Sequence, residues 1–237
     1  MRFVTALLLA TLLPVAACAA AANTPKTPHP MKIGIIGTGD IGGALARHWG
    51  AAGHEVLISS RHPEQLRALA EEIGPNVKVG TPREAAAFGE VVLVSVPYLA
   101  TPQVGRDYAA ELKGKVVLDT GNPYPGRDGE MANRDRKRGT GVASAEYLPG
   151  TRLVRAFNAI NADPLANQAF EKPERLGIPL ASDDPEALKI AAQLVMDAGF
   201  DPVPVGGLAR AREFDVGTRV YVRGMTAAEL RKALNLK

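Results

Sequence analysis

The run Gly37-Thr38-Gly39-Asp40-Ile41-Gly42 places three glycines at G-x-G-x-x-G spacing, directly after the apolar stretch 32–36 and directly before a helical one. In that setting the spacing suits one chemistry, the binding of a dinucleotide pyrophosphate. Gly37 permits a tight turn, Gly39 keeps a Cβ out of the path of the phosphates, and Gly42 lets the following helix pack closely on the strand. The helix N-terminus then offers free N–H groups and partial positive charge to the anion. Asp40, inside the motif, reads as a solvent-facing first-turn residue rather than a catalytic acid.

About twenty residues further on, NAD-binding chains commonly carry an acid that pairs with the ribose 2′-hydroxyl. This chain has Ser59, Ser60, Arg61 and His62 there instead. A carboxylate would repel a 2′-phosphate, whereas Arg61 can fork onto one and Ser59 or Ser60 can donate a hydrogen bond to it. The expected cofactor is therefore NADP(H) rather than NAD(H). The plainer reading of Arg61 is a surface arginine at a strand end, and His62 reads as a cap for the next helix.

These residues need a scaffold, and the pattern supplies one. Apolar runs at 32–36, 55–59, 77–79, 91–96, 115–120, 152–157, 177–182 and 202–205 alternate with helical stretches, clearest at 41–53, 63–74, 99–112 and 184–199. Such alternation predicts an α/β fold, a Rossmann-type doubly wound, mainly parallel sheet with helices on both faces. Thr81-Pro82 reads as a helix start. Residues 121–141 read as a long polar loop with at most one helical turn. Ligands of such sheets lie outside the carboxyl ends of the strands, which brings Asn122, after the fifth strand, to the same crevice; its competing role is a turn with Pro123. Asp119 reads as a structural acceptor for loop N–H groups, His48 as a helix-surface residue and His54 as part of a loop.

Composition bounds the rest. The chain has 237 residues, 46% of them hydrophobic and 22% charged, with a net charge of +3. That is enough apolar material for a sizeable core and excludes disordered, fibrous and membrane-spanning classes. The basic cluster Arg134, Arg136, Lys137 and Arg138 lacks interleaved aromatics and reads as a solvated face, so no nucleic-acid partner is expected. The one cysteine, Cys18, leaves residues 19–237 without a disulfide, a thiolate metal site or a cysteine nucleophile. No His, Asp and Glu set has metal-ligand spacing, so no metal is expected.

Residues 1–22 have the grammar of a secretory signal peptide: Arg2, the apolar run Phe3 to Leu13, then the small-residue tract 15–22. Val15 to Cys18 also resembles a lipoprotein box with Cys18 as the lipidated residue; cleavage near Ala19 to Ala21 is the alternative. Residues 23–30 read as a Pro-rich linker and 31–237 as one NADP-binding domain. The protein is then periplasmic, or held to a membrane through a lipid anchor alone; initiation at Met31 would make it cytoplasmic.

Four stretches, "MKIGIIGTGDIGGALA", "ISSRHPE", "LVRAFNAINADPL" and "GFDPVPVGGLARARE", resemble the coenzyme F-420-dependent NADP oxidoreductase family, whose fold also forms the reductase domain of six-transmembrane metalloreductases. With their spacing they cover nearly all of residues 31–224, and the third is the most specific. The resemblance implies that Thr38, Asp40 and Ile41 line the pyrophosphate turn and that Ser60 and Arg61 hold the 2′-phosphate. It places Ser95, Val96 and Pro97 along the nicotinamide half, and Ala156, Phe157 and Asn158 at the border of the hydride-transfer site. Phe157 as plain core packing is the competing reading; the buried amide of Asn158 wants partners. The leader departs from the family, which is usually cytoplasmic.

The expected activity is hydride transfer between nicotinamide and a small-molecule redox partner, a flavin or a deazaflavin such as coenzyme F-420. The cofactor carries that chemistry, so no side-chain acid is required. Reduction of flavin, quinone or ferric chelates is the same-class alternative, and a non-catalytic dinucleotide-binding module the different-class one. A carbonyl acceptor would call for a proton donor, with Tyr98 and Tyr124 nearest by chain position. The chain lacks the long C-terminal helical region of imine, pyrroline-carboxylate and hydroxyacid reductases, so a shallow crevice is expected, completed in a homodimer by the second subunit.

Overall fold

The computed structural model of the chain describes residues 29–236; the signal-peptide reading, Cys18 and most of the Pro-rich linker lie outside them. Among the described residues eight strands form one sheet: β1 (Lys32–Ile36), β2 (Glu55–Ser59), β3 (Val77–Gly80), β4 (Val91–Val94), β5 (Val116–Asp119), β6 (Arg152–Arg155), β7 (Gly177–Ala181) and β8 (Asp201–Gly206). Their order is β3-β2-β1-β4-β5-β6-β7-β8. Every pairing is parallel except β6 with β7. The order reverses between β1 and β4, and in doubly wound sheets that reversal opens the ligand crevice.

The helices are α1 (Asp40–Ala52), α2 (Arg67–Ile73), α3 (Pro82–Phe88), α4 (Thr101–Asp107), α5 (Ala109–Leu112), α6 (Pro125–Arg138), α7 (Thr140–Tyr147), α8 (Ala162–Asn167), α9 (Pro185–Asp197) and α10 (Ala227–Ala233). Alternate strand residues feed two different cores. Ile33, Ile35, Leu93, Leu118 and Val154 pack with Leu45 and Trp49 of α1, Leu165 of α8 and Leu194 of α9. Ile36, Val92, Val94, Val117 and Leu153 pack on the opposite face with Ala85 and Ala86 of α3, Val104 of α4 and Leu112 of α5. Both faces of the sheet are therefore covered, which explains why its strands read as continuous apolar runs. Each buried Leu or Ile contributes roughly 1.5–3 kcal/mol relative to exposure. Trp49, fully buried, also satisfies its indole N–H with the carbonyl of Leu194 at 2.9 Å. A third cluster joins Val203 and Val205 of β8 to Phe214, Val220, Leu230 and Leu234.

Thr81 starts α3 with a capping box, its hydroxyl accepting from the Glu84 amide. The segment after β5 differs from expectation. Residues 121–141 are not a loop: α6 occupies most of them, broken at Gly129 (φ 58°), and α7 follows at once. The inward face of α6 is acidic. Buried Asp128 accepts from the amides of Leu99 (3.2 Å) and Tyr124 (2.8 Å). Buried Asp135 accepts from the Tyr147 hydroxyl at 2.7 Å and from Arg134. A helix docked by carboxylates has no apolar stripe to betray it. The basic cluster lies along this helix, with Arg134 paired to Asp135 and Arg138 to Glu146.

The helix-surface reading of His48 needs correction, whereas His54 lies in the α1–β2 connection, as expected of it. His48 is half-buried against Phe200 and bonds the Leu165 carbonyl at 2.7 Å. His54 is fully buried between the Met31 amide (3.1 Å) and the Asp197 carboxylate (3.1 Å). Burial pushes both imidazoles below their ordinary value, in His54 against the opposing pull of Asp197.

Candidate nucleotide site

The glycine turn sits at the carboxyl end of β1. The amides of Gly37 and Thr38 both donate to the Ser59 carbonyl at 3.1 Å, and the Thr38 hydroxyl donates to it at 3.0 Å. The end of β2 thus holds the turn in place. Gly39 caps α1 with extended backbone and is exposed, and a Cβ built there would meet nothing within 4 Å. The other two glycines are crowded by backbone. A Cβ at Gly42 would stand 2.2 Å from the Gly37 oxygen, and one at Gly37 would stand 2.3 Å from the Ser95 oxygen. Open space beside the middle glycine, at a helix N-terminus, is what an approaching pyrophosphate needs.

A cleft of about 430 Å³ starts at this turn. Gly39, Asp40 and Ile41 form one end, and Ser95, Val96 and Pro97 beyond β4 form a side. Thr120, Gly121 and Asn122 follow β5, Phe157 follows β6, and Tyr124, Arg127 and Tyr221 complete the wall. Neighbouring strands hold these segments in register: Ser95 N–H donates to the Ile36 carbonyl at 2.9 Å, and Thr120 N–H to that of Val94 at 3.2 Å. The crevice therefore lies at the predicted carboxyl ends, on both sides of the β1–β4 reversal.

The predicted residues separate into three groups. Thr38 stands beside the cleft as part of the turn, while Asp40, Ile41, Ser95, Val96, Pro97, Asn122 and Phe157 line it together with Gly39. Phe157 holds both of its readings at once: it is buried edge-on against Trp49 (centroids 6.1 Å apart) and forms cleft surface. Its φ of 57° is rare for a bulky side chain, and such strain concentrates at functional sites.

Ala156 and Asn158 lie behind the wall, fully or almost fully buried. Asn158 works through its backbone: its carbonyl accepts from the Asn122 amide nitrogen at 2.8 Å, which orients that side chain. The Oδ1 atoms of both asparagines are buried without a hydrogen-bond donor. A buried acceptor in that condition costs about 1–3 kcal/mol until a donor arrives. Asn122 also lines the cleft, and with the open Gly39 turn at the α1 N-terminus the residues present fit a dinucleotide.

Ser60 and Arg61 form the third group, at the end of β2. Arg61 is exposed, and its guanidinium makes no hydrogen bond or ion pair among the described residues. The Ser60 hydroxyl accepts from the His62 amide at 3.0 Å and keeps its own proton to donate. Ser59 is a correction. Its hydroxyl is fully buried and donates to the Ile35 carbonyl at 2.6 Å, so it cannot reach a phosphate. His62 precedes a short 3-10 turn, at Pro63–Leu66, without capping it through its side chain.

Behind the cleft lies an ion-pair cluster that sequence reasoning missed. Arg155, fully buried, donates to the Asp119 carboxylate (2.6 Å), the Asp119 carbonyl (3.1 Å) and the Gly121 carbonyl (2.7 Å). Asp215 stands 3.6 Å from the same guanidinium. Burial opposes the charge on Arg155, but the two carboxylates outweigh it and hold the guanidinium above its ordinary range. Asp119 also accepts from the Gly121 amide at 2.8 Å, the loop role expected of it. Of the two tyrosines weighed as proton donors, Tyr98 is fully buried and turned toward Asp135, away from the cleft; burial, then Asp119 and Asp135, push its phenol far up. Tyr124 does face the cleft.

The family model described as "NADP oxidoreductase coenzyme F420-dependent" matches residues 32–123, which span the glycine turn, the Ser60–Arg61 corner, Ser95 to Pro97 and Asn122. The F420-dependent NADP reductase of Methanothermobacter thermautotrophicus is 33% identical over 196 residues, covering 77% of this chain and 84% of that protein. The chain belongs to this family. The F420-dependent NADP oxidoreductases are thus its kin through most of its length, beyond residue 123 and into the β6 segment. The rat (Rattus norvegicus) metalloreductase STEAP3 is 28% identical over 194 residues; the match covers 82% of this chain but 37% of that protein's length. Among solved structures, the hypothetical protein SMa0349 from Sinorhizobium meliloti superposes with a TM-score of 0.73 at 26% identity, over 84% of this chain and 96% of that one.

Proposed function

We propose that the cleft binds NADP(H) and passes a hydride between its nicotinamide and a planar acceptor of the flavin or deazaflavin type. The observation that carries this reading is the continuity of the cleft. It runs from the open Gly39 turn, past Ser95 to Pro97, to the donor-hungry Asn122 and the strained Phe157. The pyrophosphate would take the α1 amides, the 2′-phosphate would take Ser60 and Arg61, and the carboxamide would take Asn122. The nicotinamide supplies the hydride; the chain supplies binding, orientation and exclusion of water. Buried Phe157 and Ile160 make the inner wall apolar, and an apolar wall shields a hydride in transit.

Steady-state oxidation of NADPH by the full chain, offered FMN, riboflavin, a deazaflavin, a quinone and a ferric chelate in turn, tests this. The reading predicts turnover well above the uncatalysed rate with a flavin or deazaflavin. Fastest turnover with the ferric chelate would shift it toward the metalloreductase relatives. NADPH binding without turnover on any acceptor would make the chain a dinucleotide-binding module.

A further inference from the structure

Two phenols face each other across the mouth of the cleft. Tyr124 opens α6, and Tyr221 lies far along the chain in the segment after β8; their hydroxyls share a hydrogen bond. Both line the same cleft as Ser95 to Pro97 and Phe157. Their environments differ. Tyr124 is 39% exposed and carries the Arg127 guanidinium 5.2 Å over its ring. Tyr221 is half-buried. Its segment is pinned on both sides: Val220 is buried in the third core cluster, and Val222 N–H donates to the Ala159 carbonyl at 3.0 Å. Val222 takes φ 49°, a conformation that a β-branched residue adopts only under tertiary constraint. The contacts of Val220 and Val222 hold Tyr221 at the cleft against that strain.

Hydride transfer to a flavin-type ring leaves a chemical demand at the acceptor. Two electrons arrive with one proton, so the ring gains a negative charge that a hydrogen-bond or proton donor stabilises. The other hydroxyls on the wall are less suited. Thr120 points its oxygen at the Val94 carbonyl, 3.5 Å away, and Ser95 belongs to the nucleotide side beyond β4.

We propose that Tyr221 is the hydrogen-bond and proton donor to the hydride acceptor, with Tyr124 linking it to solvent. The inference rests on the hydride-transfer reading above. In the forward direction the C4–H bond of the dihydronicotinamide breaks with its electron pair, and a new bond to hydrogen forms on the acceptor ring. NADPH is oxidised and the ring reduced. The Tyr221 O–H bond breaks as an N–H forms on the reduced ring, Tyr124 returns a proton to Tyr221, and water reprotonates Tyr124. Burial pushes the Tyr221 phenol up.

The test compares the wild-type full chain with Tyr221→Phe and Tyr124→Phe, using NADPH and FMN in H2O and D2O. Tyr221→Phe is expected to lower kcat roughly 10- to 100-fold and to abolish the solvent isotope effect, with NADPH affinity unchanged. Tyr124→Phe is expected to lose about 3- to 10-fold, because water can replace the outer phenol. Quenching of FMN fluorescence in the presence of NADP+ gives a readout independent of turnover: Tyr221→Phe weakens FMN about tenfold. Wild-type kcat, isotope effect and FMN affinity in Tyr221→Phe would overturn the proposal. Should that variant fail to fold, an unchanged kcat in Tyr124→Phe would overturn it. Absence of wild-type turnover with FMN is a different failure, that of the hydride-transfer reading; the FMN affinities of the two proteins then decide whether Tyr221 contacts the ring.

Discussion

Gly39→Val leaves the fold intact and weakens dinucleotide binding about a hundredfold. The fold survives because a Cβ at Gly39 enters open space and the backbone there is extended, with φ −87°. A valine at this N-cap costs the helix at most about 1 kcal/mol. Binding weakens, because the new methyls fill the approach to the α1 amides. Two charge-assisted bonds at ~1.5 kcal/mol each amount to ~3 kcal/mol, about a hundredfold in Kd. The neighbouring glycines behave in the opposite way: Gly42→Ala sets a Cβ 2.2 Å from a backbone oxygen and breaks the turn itself. Thermal unfolding and NADPH titration on both variants separate the two effects. A Gly39→Val protein with wild-type affinity would show that the pyrophosphate lies elsewhere.

Arg155→Met costs more stability than any single surface change. The guanidinium is fully buried, bonded to Asp119 at 2.6 Å and to the Gly121 carbonyl at 2.7 Å, with Asp215 at 3.6 Å. Removing the cation strands two buried carboxylates and a carbonyl. Breaking one partner of such a group costs about 3–5 kcal/mol. Urea unfolding measures the loss, and Arg155→Met combined with Asp119→Asn recovers part of it, because one stranded charge is gone. A loss below about 1 kcal/mol would mean that water or the Asp215 loop relaxes to satisfy these groups. The cleft is affected as well, since Arg155 holds the Gly121 carbonyl beside Asn122.

Much of this molecule was legible in its residues. The strands announced themselves as β-branched runs between glycines, and all eight appear, with ends trimmed by a residue or two where Ser95, Val96 and Phe157 turn into the cleft. The glycine turn was legible because spacing, strand and helix coincide over a few residues. What escaped depends on distant contacts. α6 is held by Asp128 and Asp135 rather than by an apolar stripe, so periodicity could not find it. Ser59 and Ser60 are adjacent in the chain, yet the pleat of β2 sends the first inward to Ile35 and leaves the second at the surface. Arg155 stood inside the most specific motif, but its partners come from β5 and the post-β8 segment. Tyr221 sits 97 residues beyond its partner Tyr124, and nothing local to it signals a cleft.

Discrimination at the Arg61 corner is the most direct probe of the account. Titrations of NADP+ and NAD+ into the wild type and Arg61→Ala measure it at fixed ionic strength. An exposed guanidinium forking onto a 2′-phosphate is worth about 1.5–3 kcal/mol. The wild type is therefore expected to prefer NADP+ by roughly 10- to 100-fold, and Arg61→Ala to lose most of that preference while binding NAD+ as before. Equal wild-type affinities for the two nucleotides, or a preference for NADP+ that outlasts Arg61, would contradict it.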